Sequence, residues 1–193
     1  MINCYITHKY HLYHCNVTPL LYHCNDSLSS GNFFKNHANG TNNYDKIWQI
    51  AQKYSLTLTM APAAARTIND FFADTQTSAE DYDLILTGDL GYTGTELLYE
   101  LLEIEYHRDI QGVHGDCGLM IFDLKTQDVN SGGSGCGCSA SVLCSHILKR
   151  MRKGELHKVL FIATGALMSP TSTKQGQPIP GIAHAVLLET HRS

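Results

Sequence analysis

A chain of 193 residues, 43% of them hydrophobic, is long enough to bury one ordinary core. Its net charge of −4 and pI near 6.2 leave no basic stripe, which excludes nucleic acid as the expected partner. No apolar run approaches the roughly 18 residues that span a bilayer, and the first residues carry no signal-peptide core, so a soluble or at most peripheral protein is expected.

Two compositions meet near residue 55. Residues 1–55 are crowded with His, Tyr, Cys and Asn, and up to Gly40 the charged residues are Lys9, Asp26 and Lys35. No sustained period of 3.6 or 2 runs through them. Two readings stay open. His8, His11, His14, Cys15, His23 and Cys24 are all competent metal ligands. Alternatively, a truncated or frame-shifted gene read in the wrong frame would give this residue mix, and residues 1–40 would be poorly ordered. The division expected is an atypical segment over 1–55 and one domain over 56–193.

From Tyr44 onward the pattern becomes regular. Ile47, Ile50 and Ala51 suit one short helix, and Ala61 to Ala73 a second, with Ile68, Phe71 and Phe72 on one side. Asp83 to Thr87 reads as a buried strand closed by Gly88. A helix is expected over 94–104, with Thr93 and Glu96 as a capping box and Leu97, Leu98, Leu101 and Leu102 as its apolar face. Gly118 to Phe122 reads as a strand, and Asp116 before it as the carboxylate of an Asx-turn.

The strongest helix spans about 138–153, with Leu143, Ile147 and Met151 on one face and Gly154 as its stop. Lys149, Arg150, Arg152 and Lys153 suit its carboxyl end. Lys158 to Thr164 is a near-continuous apolar strand, as a strand covered on both faces should be. Ala183 to Glu189 is a second strand, in which His184 reads as a hydrogen-bonded core histidine. The expected fold is α/β, a mixed sheet with helices packed on it.

Two small-residue turns stand beside these elements: Asn130 to Ser141 (NSGGSGCGCSAS) and Ala163 to Ser172 (ATGALMSPTS). Glycines there permit positive φ and close main-chain approach to a ligand, and amides at a helix start can face an anion. Asp89 lies at a strand's carboxyl end, where α/β sheets place ligands, although helix capping suits it too. The candidate ligand-binding residues are therefore Asp89, Gly133, Ser134, Cys136, Cys138, Ser139, Gly165 and Ser169. Cys117, Cys136, Cys138 and Cys144 read as buried thiols, and a CxC pair without a second pair does not suggest zinc. Cys136 at a helix start could instead carry a lowered thiol pKa and act as a nucleophile.

Six segments occur in an order that resembles the stage V sporulation protein AD family, a branch of the thiolase-like fold. They are MAPAAARTI (Met60 to Ile68), YDLILTGDLG (Tyr82 to Gly91), GDCGLMIFD (Gly115 to Asp123), GGSGCGCSAS (Gly132 to Ser141), KGELHKVLFIATGALMSPTS (Lys153 to Ser172) and IPGIAHAVLLE (Ile179 to Glu189). The resemblance covers about residues 59 to 190 and implies the back half of a thiolase-like protein. It also implies binding of dipicolinic acid, as part of the machinery that moves its calcium chelate into the spore. Family members are soluble, with no cofactor expected, and are held at the spore inner membrane by membrane-embedded proteins of the same operon; full-length relatives would be homodimers.

Condensing enzymes of this fold need a His and an Asn from the back half. The matching positions here hold Gly88 or Asp89 and Cys136, so the resemblance implies a non-catalytic protein. An acyltransferase of the condensing class is the alternative, and a purely structural partner in a membrane assembly the third reading.

Overall fold

The structure, a computed structural model, describes residues 2–8, 11–16, 56–129, 131, 132, 135–166, 169, 171, 174, 175 and 181–190. The expected helix at 47–51, His23, Cys24, Gly133 and Ser134 lie outside those residues.

The alternation of apolar side chains along three strands splits the interior into two cores. In β3 (Leu84–Thr87), Ile85 faces one side while Leu84 and Leu86 face the other. In β5 (Lys158–Ala166), Leu160 and Ile162 join the first core, and Val159 and Phe161 the second. In β6 (Gly181–Thr190), Ala185 and Leu187 join the first and Leu188 the second. Both faces are therefore covered, which explains the unbroken apolar run of β5. β3 runs parallel to β5 and to the short β4 (His114–Asp116), while β6 is antiparallel to β5. The result is the expected mixed sheet, in the order β6-β5-β3-β4.

The sheet continues past β6 through a hairpin, β1 (Ile2–His8) and β2 (His11–Asn16), with β1 antiparallel to β6. His8, His11, His14 and Cys15 belong to this hairpin by backbone register. The expectation of poor order for 1–40 otherwise falls on residues outside the described set.

Two long helices cover the first face. α1 (Leu56–Thr75) buries Ile68, Phe71 and Phe72 as expected, but begins five residues earlier than the sequence pattern suggested and runs through Pro62. It crosses β6 closely: the carbonyl of Thr59 occupies the space a Cβ on Gly181 would need, and Thr67 Oγ1 donates to the Ala183 carbonyl at 3.3 Å. α2 (Gly91–Tyr106) buries Leu98, Leu101 and Leu102 against α1, with Leu97 partly covered.

Three expectations need correction. The capping box at Thr93 and Glu96 is absent, because α2 starts at Gly91 and its first amides are taken by other segments of the chain. The predicted strand over 118–122 is instead a short helix, α3 (Cys117–Ile121). Asp116 caps it by accepting from the Gly118 and Leu119 amides, so the apolar run winds into a turn rather than extending. His184 is exposed on β6 and is no core histidine.

The second face is covered by α4, over residues 138–152. It is α-helical at Cys138–Val142, passes through a π turn at Leu143–Ile147, and resumes at Leu148–Arg152. The Leu148 amide bonds back five residues to Leu143. Its buried positions are Cys138, Val142, Ile147 and Met151, in steps of four, five and four residues. Regular spacing had placed Leu143 in that face instead; the extra residue of the π turn rotates it to a half-buried position. Gly154, at φ +74, ends the helix as expected, and Lys149, Arg150 and Arg152 stand in its last turn.

Candidate functional site

The parallel strands β3 and β5 bring their carboxyl ends side by side, and three segments meet there. The first is the turn 88–90 between β3 and α2. A side chain on Gly88 would meet Thr164 Oγ1 at 2.5 Å, so only glycine lets the turn lie against β5. The Asp89 amide donates to Thr164 Oγ1 at 3.3 Å. The second segment is the glycine turn ahead of α4, closed by a bond of 3.0 Å from the Cys138 amide to the Gly135 carbonyl. The third is the end of β5, where Thr164 and Gly165 pair with Ala183 and Ile182.

Asp89 joins all three. The Gly135 amide and the Thr164 hydroxyl lie close enough to its carboxyl to favour the ionised form. Burial pushes its pKa up to about 6, the nearby Asp116 carboxylate adds to that rise, and these two donors oppose it. The two small-residue turns thus converge on the strand-end carboxylate. Asp89 is not the cap of α2, whose cap position is Leu90.

Because its folded pKa lies above the unfolded value of 3.8, Asp89 favours the fold when protonated. That contribution is complete below pH 4 and is lost as pH rises to about 6. Asp89→Asn should remove the slope in this window, making the variant more stable than wild type at pH 7.5 by about 1 kcal/mol once solvent screening of a half-buried group is allowed for. Urea midpoints at pH 4, 5, 6 and 7.5 provide the check.

The glycine turn is held from the other side by α2. The Tyr92 amide donates to the Ser131 carbonyl at 2.6 Å and the Thr93 amide to Ser131 Oγ at 3.0 Å, while the Thr93 and Ser131 hydroxyls lie 2.6 Å apart. Gly91 has φ +63, and a Cβ there would stand 2.5 Å from the Ser131 carbonyl oxygen. Gly132 and Gly135 also take positive φ, at +74 and +82.

Of the other candidates, Cys138 is buried beneath the turn, Ser139 is half-buried, and Cys136 is exposed at the turn's outer edge. Gly165 and Ser169 are both partly buried, Gly165 one residue past Thr164 and Ser169 beyond the end of β5. The expectation of four buried thiols holds for Cys117 and Cys138 but not for Cys136 and Cys144, which are exposed because the glycine turn and the outer side of α4 face solvent. Cys117 lies close enough to Asp116, Cys138 and Asp89 for their charges to add to the burial that pushes its thiol pKa up, so it remains a protonated thiol.

Sequence reasoning missed Thr164 as an individual partner and missed a buried group behind the site. Asp116, 2% exposed, accepts at Oδ1 from Thr87 Oγ1 (2.7 Å) and the Leu90 amide (2.8 Å). Its Oδ2 accepts from the amides of Gly91 (2.9 Å), Gly118 (3.0 Å) and Leu119 (3.3 Å). The Asx-turn reading accounted for the last two. The others needed the register of β3 on β4, which sets Thr87 beside Asp116.

What fold and geometry define together is an α/β protein whose small-residue turns meet at the carboxyl ends of its parallel strands, the place such sheets offer to ligands. The chain matches the profile of stage V sporulation protein AD over residues 43–189 and belongs to that family. It is 46% identical over 140 residues to the stage V sporulation protein AD of Bacillus subtilis (strain 168), an alignment covering 72% of this chain and 41% of the relative. The chain therefore spans well under half the length of that relative. The match begins at residue 43, ahead of both the expected resemblance from 59 and the expected domain boundary at 56.

Proposed function

We propose that this chain supplies the back-half fold of a thiolase-like ligand-binding protein, one that holds dipicolinic acid and catalyses no acyl transfer. Its place in the spore would be the inner membrane, beside membrane-embedded partners of the same operon. The observation that carries the reading is the convergence of the Gly135 turn, Thr164 and Asp89 at one strand end. Main-chain amides and small side chains suit a flat carboxylate ligand. The positions that match the catalytic His and Asn of condensing enzymes hold Gly88, crowded by Thr164, Asp89, and the exposed Cys136. Cys117, a buried thiol close enough to Asp89 to feel its charge, is held protonated.

Calorimetric titration of dipicolinate into this chain and into the Bacillus subtilis relative, with and without calcium, tests the proposal. Saturable binding is expected. Free dipicolinate should bind more tightly as pH falls through 6, because a protonated Asp89 donates to a ligand carboxylate that its ionised form repels. Absence of binding to both proteins would sink the reading. Transfer of a labelled acyl group from coenzyme A to a cysteine would establish the condensing-enzyme alternative.

A further inference from the structure

Behind the site, four polar side chains form one chain of hydrogen bonds whose direction can be worked out. Thr87 Oγ1 has a single proton, and its shortest contact is the Asp116 carboxylate at 2.7 Å, in the range of a charge-assisted bond. The hydroxyl therefore donates to Asp116 and can only accept from His114 Nε2, 3.1 Å away. His114 is then the Nε2–H tautomer, and its bare Nδ1 accepts from the Tyr99 hydroxyl at 2.8 Å. Burial holds the imidazole neutral, as that assignment requires. Every bond runs the same way: Tyr99 to His114, His114 to Thr87, Thr87 to Asp116. Aligned donors of this kind polarise one another towards the terminal acceptor.

Asp116 in turn takes the two amides, Leu90 and Gly91, that follow Asp89, and the two that open α3. We propose that Asp116 is the positioning residue of the Asp89 turn, with Thr87, at the end of the chain from Tyr99 through His114, keeping its carboxylate an acceptor. Asp116 touches no ligand in this scheme. It fixes where residues 88–91 stand and presents a negative charge behind Asp89. This inference rests on the reading of Asp89 as a site residue but needs no bound ligand for its test. The groups close to Asp89 besides Asp116 are the Gly135 amide, the Thr164 hydroxyl and the Cys117 thiol.

The test follows the carboxyl carbon of Asp89 by NMR across pH in the full chain, with Asp89→Asn assigning the signal. Wild type should titrate near pH 6. Thr87→Val removes the hydroxyl while keeping the shape; Thr87→Ser keeps the hydroxyl and loses a methyl group. The Val variant should titrate lower by about half a pH unit or more, because an Asp116 with less support for its charge repels Asp89 less. The Ser variant should match wild type. A midpoint unchanged in Thr87→Val, or lowered equally in both variants, would overturn the proposal, since packing alone would then account for the result. If Thr87→Val does not fold, Tyr99→Phe removes the outermost donor from a half-buried position; the midpoint should again fall, and an unchanged value overturns the chain. Dipicolinate affinity measured on the same samples separates the two readings: a wild type that titrates as expected and binds nothing loses the ligand, not the positioning.

Discussion

Gly91→Ala should lower the stability of the protein by about 3 kcal/mol, from two sources that add. The first is conformational. At φ +63 the residue is left-handed, and a side chain there costs roughly 1–2 kcal/mol. The second is steric. The new Cβ would lie 2.5 Å from the Ser131 carbonyl oxygen, and that obstacle is main chain, which cannot turn aside.

To make room, the turn at 131 must move off α2, losing its bonds to Tyr92 and Thr93. Gly135 would be displaced with it, so the dipicolinate binding proposed above should weaken beyond what the lost stability explains. Gly112→Ala is the control, since that glycine has negative φ and nothing within 4 Å of a Cβ. Urea unfolding at pH 7.5 reads the comparison, with the slope of each curve checked for constancy.

The second large effect is acid sensitivity through His114. Burial lowers its pKa from 6.5 to about 4, so the folded protein resists a proton that the unfolded chain accepts. Between those values the unfolded state binds more protons, and stability rises with pH. The contribution is complete above pH 6.5 and lost as pH falls to about 4, a total of roughly 3 kcal/mol at one proton's slope of about 1.4 kcal/mol per unit. Asp89 works in the opposite sense between pH 4 and 6, and so masks part of the loss. His114→Gln removes the titration. Taking wild type minus variant at each pH cancels the Asp89 contribution and the other histidines. That difference should shrink by most of its value between pH 7 and pH 4. A difference independent of pH would mean that the imidazole titrates in the fold as it does in the unfolded chain.

How far the sequence reaches depends on whether each cause is local. β3 and β5 declare themselves because both faces are buried and the apolar run needs no knowledge of partners. Asp89 and the glycine turns declare themselves through composition. The start of α2 does not, since its caps are Asp116 and Ser131, distant along the chain and adjacent only after folding. The same holds for His114, whose role appears once β4 lies on β3 with Ile85 beside it. The run after Asp116 was misread for a nearer reason. Apolar residues of that length suit a strand or a single helical turn alike, and the capping carboxylate decides between them.

The π turn in α4 has a consequence for how this chain can change in length. A continuous α-helix turns about 100° per residue, so a helix with one residue too many keeps both halves correctly faced only by widening one turn. Cys138 and Val142 sit before that turn, Ile147 and Met151 after it, and the exposed Cys144, Ser145 and His146 lie within it. Deleting Ser145 would leave the four buried residues in uniform steps of four and restore ordinary hydrogen bonding. The segment just behind the glycine turn is thus a slack length of chain, where a residue can be lost while the buried positions on either side keep their facing.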